Sequence, residues 1–350
     1  MKVMHIESGL GNQMLSYCEL LAMRKANPND EIFIENIIYD IPECNEVTCQ
    51  WNGYELDKVF GINTPNIHSI ISDENWDILM TEIINSKFWL KNMNYPIYFT
   101  KAFHKIGIDL VNTWGDFEQP KFMTEFKDKK SKGSLKYKIR HSLPYMYYKM
   151  WKMRRPISPY ALDCKNILFQ ASNENLFAGQ KLMFKNKGSG IELIEEDIRK
   201  CFIFPNLVGE QNIKALDYIR SCNSVAIHAR RGDMLGSNYA CYATGYFKRA
   251  VNFIRRHTIN PKFFIFCDPG SIQWAKDNEA VLGLNFVKDE IHFVDWNKST
   301  NSYIDMQLMA ACKHQIITNS SFGWWGAWLN TNPNKITISP DFRINTTHTL

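Results

Sequence analysis

The chain has 350 residues, of which 45% are hydrophobic and 13% aromatic. This composition supports a buried core, excludes a disordered chain, and is sufficient for two domains. The net charge of +5 is local, because residues 121–155 carry twelve Lys and Arg against two acidic residues. The sequence contains no long apolar run, no signal-peptide pattern and no zinc-type cysteine spacing. We therefore expect a cytoplasmic protein with reduced thiols.

The first half opens with a strand, a glycine loop and a helix. These elements are "KVMHI", "ESGLGNQM" and "LSYCELLAMRKA", and "EIFIEN" is the next predicted strand. This order predicts a βαβ unit. Residues 50–115 show no clear periodicity, and helices are predicted at "LIEEDIRKCF" and "EQNIKALDYIRSC".

The second half alternates strands and helices regularly. Strands are predicted at "SVAIHA", "KFFIFC", "IHFVDW" and "HQIITN", and a helical pattern follows each of them. This alternation predicts a parallel, doubly wound sheet. We place a first domain at 1–205, with a basic insertion of about 121–200, and a second domain at 206–350.

Polar residues follow three predicted strands of the second half, at the point where each strand ends. Ligands bind at this edge in open α/β sheets. The residues are His228, Arg230, Arg231 and Asp233, then Asp268, then Asn319, Ser320 and Ser321.

The adjacent arginines Arg230 and Arg231 repel each other unless water or an anion lies between them. Arginine forms bidentate contacts with phosphate oxygens. Ser320 or Ser321 would cap the following helix, whose first backbone N–H groups attract anions. Together these features suit a diphosphate.

Each feature also has a purely structural interpretation. His228 can be a hydrogen-bonded core histidine, and Asp233 can simply pair with an arginine. The stretch "SSFGWWGAWL" can be an ordinary capped helix with a tryptophan core. The Arg-Gly-Asp tripeptide is too short a signal to indicate cell adhesion.

The loop "SGLGNQM" has neither the dinucleotide-binding glycine pattern nor a phosphate-binding lysine. Gly9 and Gly11 would let a ligand approach the backbone closely. The amides of Asn12 and Gln13 could bond hydroxyl groups. The loop therefore suits a sugar, and a tight strand-to-helix turn is the alternative.

Residues 129–156 combine basic residues with tyrosines, methionines and a tryptophan. This mixture is typical of an anionic membrane surface or of a nucleic-acid site. We expect residues 121–155 to contact the inner membrane peripherally, with a solvated insertion as the alternative. An RNA-binding function would leave the other motifs unexplained, so no nucleic-acid partner is expected.

Five motifs in order resemble those of α-1,2-fucosyltransferases, in particular bacterial members of glycosyltransferase family 11. "HARRGD" is similar to the family's H-x-R-R-G-D, and "SGLGNQMLSY" to its G-G-L-G-N-Q-M-F-Q-Y. "TNSSFGWWGAWL" resembles S-N-S-S-F-S-W-W-x-A-W-L, and "FIFCDPGSIQW" and "WGDFEQPKFM" resemble two further segments. Ser8 stands where the family has glycine, and Gly323 stands where it has serine.

The resemblance implies a GT-B-like α/β fold, with two Rossmann-like domains facing across a cleft. It implies an inverting galactoside 2-α-L-fucosyltransferase that uses GDP-β-L-fucose and a β-galactoside acceptor, without a metal or other cofactor. The implied catalytic residues are Arg230, His228 and Arg231. The implied donor-binding residues are Arg230, Asp233, Asp268, Asn319, Ser320, Ser321 and Phe322, with Asp268 on the guanine or ribose. The implied acceptor and fucose side consists of Gly9, Gly11, Asn12, Gln13 and Asp116.

The group that accepts the acceptor's proton stays open. Glu7, Asp116 and His5 are candidates by location, whereas a dissociative route, in which the departing phosphate takes the proton, needs none of them. Another fucosyl linkage, α-1,6 or protein O-linked, and a nucleotide-sugar-binding protein without turnover are the alternative functions. The motifs do not determine the acceptor glycan.

Overall fold

The computed structural model describes residues 1–44, 52–90, 96–113, 171–179 and 193–340, with the single positions 135, 139, 142, 144 and 145. The described residues up to Phe202 belong to one compact unit, and those from Ile203 onward belong to a second. The division predicted from the sequence lies at 205/206. Asp116 and most of the basic block lie outside the described residues, so membrane contact by that block stays a prediction.

A four-stranded parallel sheet forms the centre of the first unit, in the order β2-β1-β4-β3. β1 and β2 are buried along their whole length, which suits strands covered on both faces. The strands are β1 Lys2–His5, β2 Ile32–Glu35, β3 Val111–Asn112 and β4 Leu176–Ala178.

The helices of the first unit shield this sheet from water. Four buried phenylalanines, Phe88, Phe99, Phe103 and Phe177, belong to one apolar core on its surface. The helices are α1 Leu10–Ala26, α2 Leu56–Phe60, α3 Asp73–Ser86, α4 Pro96–Lys105 and α5 Glu195–Cys201.

A five-stranded parallel sheet forms the centre of the second unit, in the order β7-β6-β5-β8-β9. From the central β5, the chain adds β6 and β7 on one side and then β8 and β9 on the other. The strand order therefore reverses beside β5, which is where α/β sheets bind ligands. The strands are β5 Asn223–Ala229, β6 Pro261–Cys267, β7 Ile291–Val294, β8 His314–Ile317 and β9 Thr337–Ile338.

The helices of the second unit pack on both the sheet and each other. The last of them, "SFGWWGAW", buries Trp325 completely. A Cβ added to Gly326 would lie 2.9 Å from Met309 Cβ, so glycine allows this helix to approach the preceding one closely. The helices are α6 Glu210–Ser221, α7 Leu235–Ala243, α8 Tyr246–His257, α9 Ile272–Asp277, α10 Glu279–Leu282, α11 Tyr303–Ala311 and α12 Ser321–Trp328.

Both units have parallel sheets with helices between their strands, which confirms the predicted α/β class. In the described ranges, no helix is both long enough and apolar enough to cross a membrane.

Candidate functional site

The carboxyl edge of each sheet, meaning the edge at which its parallel strands end, carries most of the predicted residues. In the second sheet, His228 on β5 lies opposite Phe266 on β6 and Ile317 on β8. The three polar segments that follow these strands are therefore neighbours. We call this the second carboxyl edge, and the corresponding edge of the first sheet the first carboxyl edge.

Arg230 is held at the second carboxyl edge through its backbone. Its N–H donates to Thr318 Oγ1 at 2.9 Å, and its carbonyl accepts hydrogen bonds from Tyr242 OH at 2.7 Å and Asn238 Nδ2 at 3.2 Å. Its guanidinium pairs with Asp233 Oδ1 at 2.5 Å. Asp233 therefore forms the ion pair with an arginine that was its purely structural interpretation. This ion pair orients the guanidinium of Arg230, which is largely buried.

Arg231 occupies a different environment. Its guanidinium carbon lies 3.7 Å above the Trp274 ring and 4.9 Å from the Tyr242 ring, which is a cation–π arrangement. One arginine thus stacks on aromatic rings while the other pairs with a carboxylate. This explains how two adjacent arginines are accommodated.

Asp268 organises the loop that carries these arginines. Its Oδ1 accepts the Arg231 backbone N–H at 2.6 Å, and its Oδ2 accepts the Ser271 hydroxyl at 2.8 Å. A Cβ on Gly232, which has a φ of +35°, would lie 2.8 Å from Asp268 Oδ2. Asp268 therefore has a structural role that the sequence did not predict, and its contact with guanine or ribose stays a prediction.

His228 is buried but not satisfied as an ordinary core histidine would be. It is 4% exposed, and its Nδ1 has no hydrogen-bond partner. Burial and the charge of Arg230 lower the pKa of His228 to about 4, so the ring is neutral near pH 7. A Cβ added to Gly323 would lie 2.3 Å from this Nδ1, which places the ring against the first turn of α12.

The N-cap residue of α12 does not cap the helix with its side chain. Ser320 is the N-cap residue in an extended conformation, yet its hydroxyl makes no capping hydrogen bond. Ser321 and Phe322 begin the helix, and Asn319 precedes the cap. Backbone N–H groups and the helix dipole at such a terminus favour an anion. The Phe322 and His228 rings lie 6.0 Å apart, so these residues and the arginine loop meet at one edge.

Four residues of this edge were missed by the sequence analysis. Asn238 and Tyr242 are four positions apart on α7 and bond to the same Arg230 carbonyl. Thr318 directly follows β8, and Trp274 lies on α9. Thr318 and Trp274 stand in two of the quoted motifs, as the first residue of "TNSSFGWWGAWL" and the last of "FIFCDPGSIQW", whereas Asn238 and Tyr242 had no signal in the sequence.

At the first carboxyl edge, the start of α1 is already occupied. Gly9 is the N-cap residue, and the Glu55 carboxylate accepts a hydrogen bond from the Leu10 backbone N–H. Glu55 is 4% exposed, and burial raises its pKa. A protein carboxylate therefore lies at the start of α1, and the binding of a sugar by this loop stays a prediction.

The structure corrects the prediction for Gln13. This side chain is completely buried, and its amide donates to the carbonyls of Ser8 and Gly53 while accepting the Glu55 N–H. It therefore connects two loops instead of facing a sugar. Gly11 is also buried, whereas Asn12 is half-buried on the first turn of α1.

His5 is also corrected as a candidate proton acceptor. It is 1% exposed, with its Nδ1 2.5 Å from Glu35 Oε2 and its Nε2 3.8 Å from Glu7 Oε2. Burial lowers the pKa of His5, but the two carboxylates raise it further, to about 9. His5 is thus already protonated near pH 7. Glu7 retains 14% side-chain exposure.

Comparison with known proteins finds a family model that is similar to part of the chain. Residues 193–345 match the family model described as glycosyl transferase family 11. These residues make up less than half of the chain. The match includes β5, β6, β8 and the whole second carboxyl edge.

Two curated relatives from Escherichia coli align with part of the chain. An alpha-1,2-colitosyltransferase is 36% identical over 129 residues, which are 35% of this chain and 42% of the relative. The O-antigen biosynthesis glycosyltransferase WbnK is 31% identical over 140 residues, which are 39% of this chain and 44% of the relative. The matches thus span less than half the length of these relatives.

Among solved structures, the chain is similar to a crystal structure of NodZ α-1,6-fucosyltransferase co-crystallized with GDP. The alignment covers 93% of this chain and 91% of the NodZ chain, with 12% sequence identity and a TM-score of 0.42.

Proposed function

We propose that the protein transfers L-fucose from GDP-β-L-fucose to the 2-hydroxyl of a β-galactoside, with inversion and without a metal. One observation carries this proposal. Arg230, oriented by Asp233, lies at the same carboxyl edge as the start of α12, whose N-cap residue makes no side-chain capping hydrogen bond, within the segment that matches glycosyl transferase family 11.

This arrangement suits the charge that develops in the reaction. The bond between fucose C1 and the β-phosphate oxygen breaks, and GDP leaves with the electron pair. A new bond forms between C1 and the acceptor oxygen. Arg230 and the N–H groups of α12 would bind the departing diphosphate, and each such group contributes roughly 3–4 kcal/mol when placed where charge develops.

The proton of the acceptor hydroxyl needs a destination. Glu7 is our proposed acceptor, because its side chain keeps 14% exposure and the positive charge of His5, 3.8 Å away, favours the ionised carboxylate that can take up a proton. Asp116 lies outside the described residues. In the dissociative alternative the leaving diphosphate takes the proton, and Glu7→Gln would then leave the pH dependence of kcat unchanged.

A second donor is favoured by one observation, the name of the alpha-1,2-colitosyltransferase relative. Colitose differs from L-fucose only in lacking the hydroxyl at C3. The two GDP-sugars would place the same diphosphate on Arg230. Offering both donors in competition would identify the preferred one.

The test is acceptor-dependent release of GDP in the presence of EDTA, with analysis of the product linkage. A panel of β-galactosides should include lipid-linked and soluble glycans. We expect the wild type to release GDP and form an α-1,2 product, and Arg230→Ala to lose at least 100-fold in kcat/KM, the equivalent of one such contact. Calorimetric GDP binding without turnover would instead indicate a nucleotide-sugar-binding protein.

A further inference from the structure

One completely buried amide connects the two loops of the second carboxyl edge. Asn238 Nδ2 donates to the Arg230 carbonyl at 3.2 Å and to the Asn319 carbonyl at 3.1 Å. Its Oδ1 accepts the Asn319 backbone N–H at 2.7 Å. A single side chain therefore bonds the arginine loop after β5 and both backbone polar groups of Asn319 after β8.

Only a carboxamide matches this pattern. Two acceptor carbonyls and one N–H donor face the same side chain, so it must supply two donor hydrogens and one acceptor oxygen. An aspartate has nearly the same shape but supplies no donor hydrogen when ionised. An apolar residue would leave three buried backbone groups without partners.

The connection lies between the two groups assigned to the diphosphate. Arg230 is the residue whose carbonyl is bound, and Asn319 directly precedes the N-cap residue of α12. The Thr318 hydroxyl supports the same junction, since it accepts the Arg230 N–H and donates to the His228 carbonyl. The spacing of the guanidinium and the helix start thus depends on side chains that cannot touch the substrate.

We propose that Asn238 is a positioning residue, which holds Arg230 and the start of α12 at the spacing that a diphosphate in the transition state requires. This inference rests on the proposed function. Displacing a group by about 1 Å at such a site can cost about 100-fold in rate. The effect should appear in kcat more than in the donor KM, because alignment matters most where charge develops.

The test compares Asn238→Asp with Asn330→Ala. Asn330 is a similarly buried amide, 3% exposed, and it lies after α12. It donates to the Cys312 carbonyl at 2.6 Å and accepts the Asn332 N–H at 2.7 Å. We expect Asn238→Asp to lower kcat by 30-fold or more. The donor KM should change by no more than about threefold, that is, by a factor at least ten times smaller. Asn330→Ala should keep the wild-type kcat at a similar loss of melting temperature.

Tyr242→Phe provides a milder variant if Asn238→Asp does not fold. It removes only the hydroxyl that bonds the Arg230 carbonyl and keeps the ring beside Arg231. A threefold to tenfold fall in kcat with an unchanged melting temperature is expected.

The outcomes distinguish failure of the positioning role of Asn238 from failure of the proposed function. A folded Asn238→Asp or Tyr242→Phe with wild-type kcat overturns the positioning inference alone. A kcat loss in Asn330→Ala equal to that in Asn238→Asp also overturns it, since general loosening of the unit would then be the cause. Absence of turnover by the wild type with any GDP-sugar overturns the proposed function, and this inference with it.

Discussion

The two carboxyl edges begin alike and end with opposite electrostatics. β1 ends in the buried His5, and β5 carries the buried His228 next to its end. His5 faces two carboxylates and its pKa rises to about 9, whereas His228 faces Arg230 and its pKa falls to about 4. Burial lowers both pKa values, and the rings differ in charge because carboxylates lie beside His5 whereas a guanidinium lies beside His228.

The helices that follow repeat this contrast. The Glu55 carboxylate bonds the first N–H of α1, while the cap of α12 makes no side-chain hydrogen bond. This contrast supports the proposed function, in which the first edge faces the acceptor's hydroxyl groups and the second faces the diphosphate. The lesson is that a strand–loop–helix unit acquires its ligand preference from side chains outside that unit.

The largest expected effect comes from removing the charge partner of His5. Glu35→Gln should lower the free energy of unfolding by about 3 kcal/mol at pH 6.5, because a buried charge loses its partner. A histidine whose pKa is raised from 6.5 to about 9 contributes stability that is complete below pH 6.5 and is lost as the pH rises through 9.

Urea unfolding of the wild type and Glu35→Gln from pH 6 to pH 10 measures this effect. The gap between them should shrink as the pH passes 9. A gap that stays constant over this range would show that His5 is not charged.

The next effect tests the contact between His228 and α12. Gly323→Ala places a Cβ 2.3 Å from His228 Nδ1 and should cost about 2 kcal/mol of stability through overpacking. Gly236→Ala is the matched control, because nothing lies within 4 Å of its added Cβ. Because Gly236 lies in helix α7, Gly236→Ala should raise the free energy of unfolding by up to ~1 kcal/mol. Equal melting temperatures for the two variants would contradict this placement of the ring.

The third prediction concerns a substitution that makes the start of α12 resemble the start of α1. Ser321→Asp puts a carboxylate on the first turn of α12, as Glu55 does for α1. We expect GDP affinity to fall about tenfold by repulsion of the diphosphate, while stability stays level or rises through the helix dipole. Ser321→Asn, of the same size without the charge, should bind GDP nearly as the wild type does in calorimetry. Undiminished affinity in Ser321→Asp would argue against an anion at this helix.

The smallest effect concerns the bend before α1. Ser8 has a φ of +64°, a left-handed conformation that glycine adopts more readily. Its carbonyl is held there by Gln13 Nε2 at 2.9 Å and Tyr39 OH at 2.6 Å. Ser8→Gly should raise stability by at most ~1 kcal/mol, and Ser8→Ala should not. Thermal unfolding of both variants checks this, and an equal gain in both would exclude backbone strain as the cause.

Local pattern predicted the strand ends that carry Arg230 and Asn319, because parallel strands bring their carboxyl ends to one edge. It did not predict that Arg231 stacks on Trp274, since a guanidinium on a ring has no signal at a fixed spacing. It assigned the Gln13 amide to a sugar, because a polar side chain in a loop is normally exposed. Gln13 is instead buried by contacts with the loop at 53–55, which is about forty residues away in the sequence.

The sequence by itself determined the α/β class, the parallel sheets and the position of the candidate diphosphate site. These follow from apolar periodicity and from short motifs, which are properties of neighbouring residues. The tertiary structure alone decided the charge of each histidine, the burial of Gln13 and the connection made by Asn238. Those properties depend on partners far along the chain, such as Glu35 for His5 at a separation of 30 residues and Asn319 for Asn238 at 81. Electrostatic energy and hydrogen bonding depend on distance in space, which only the folded chain sets.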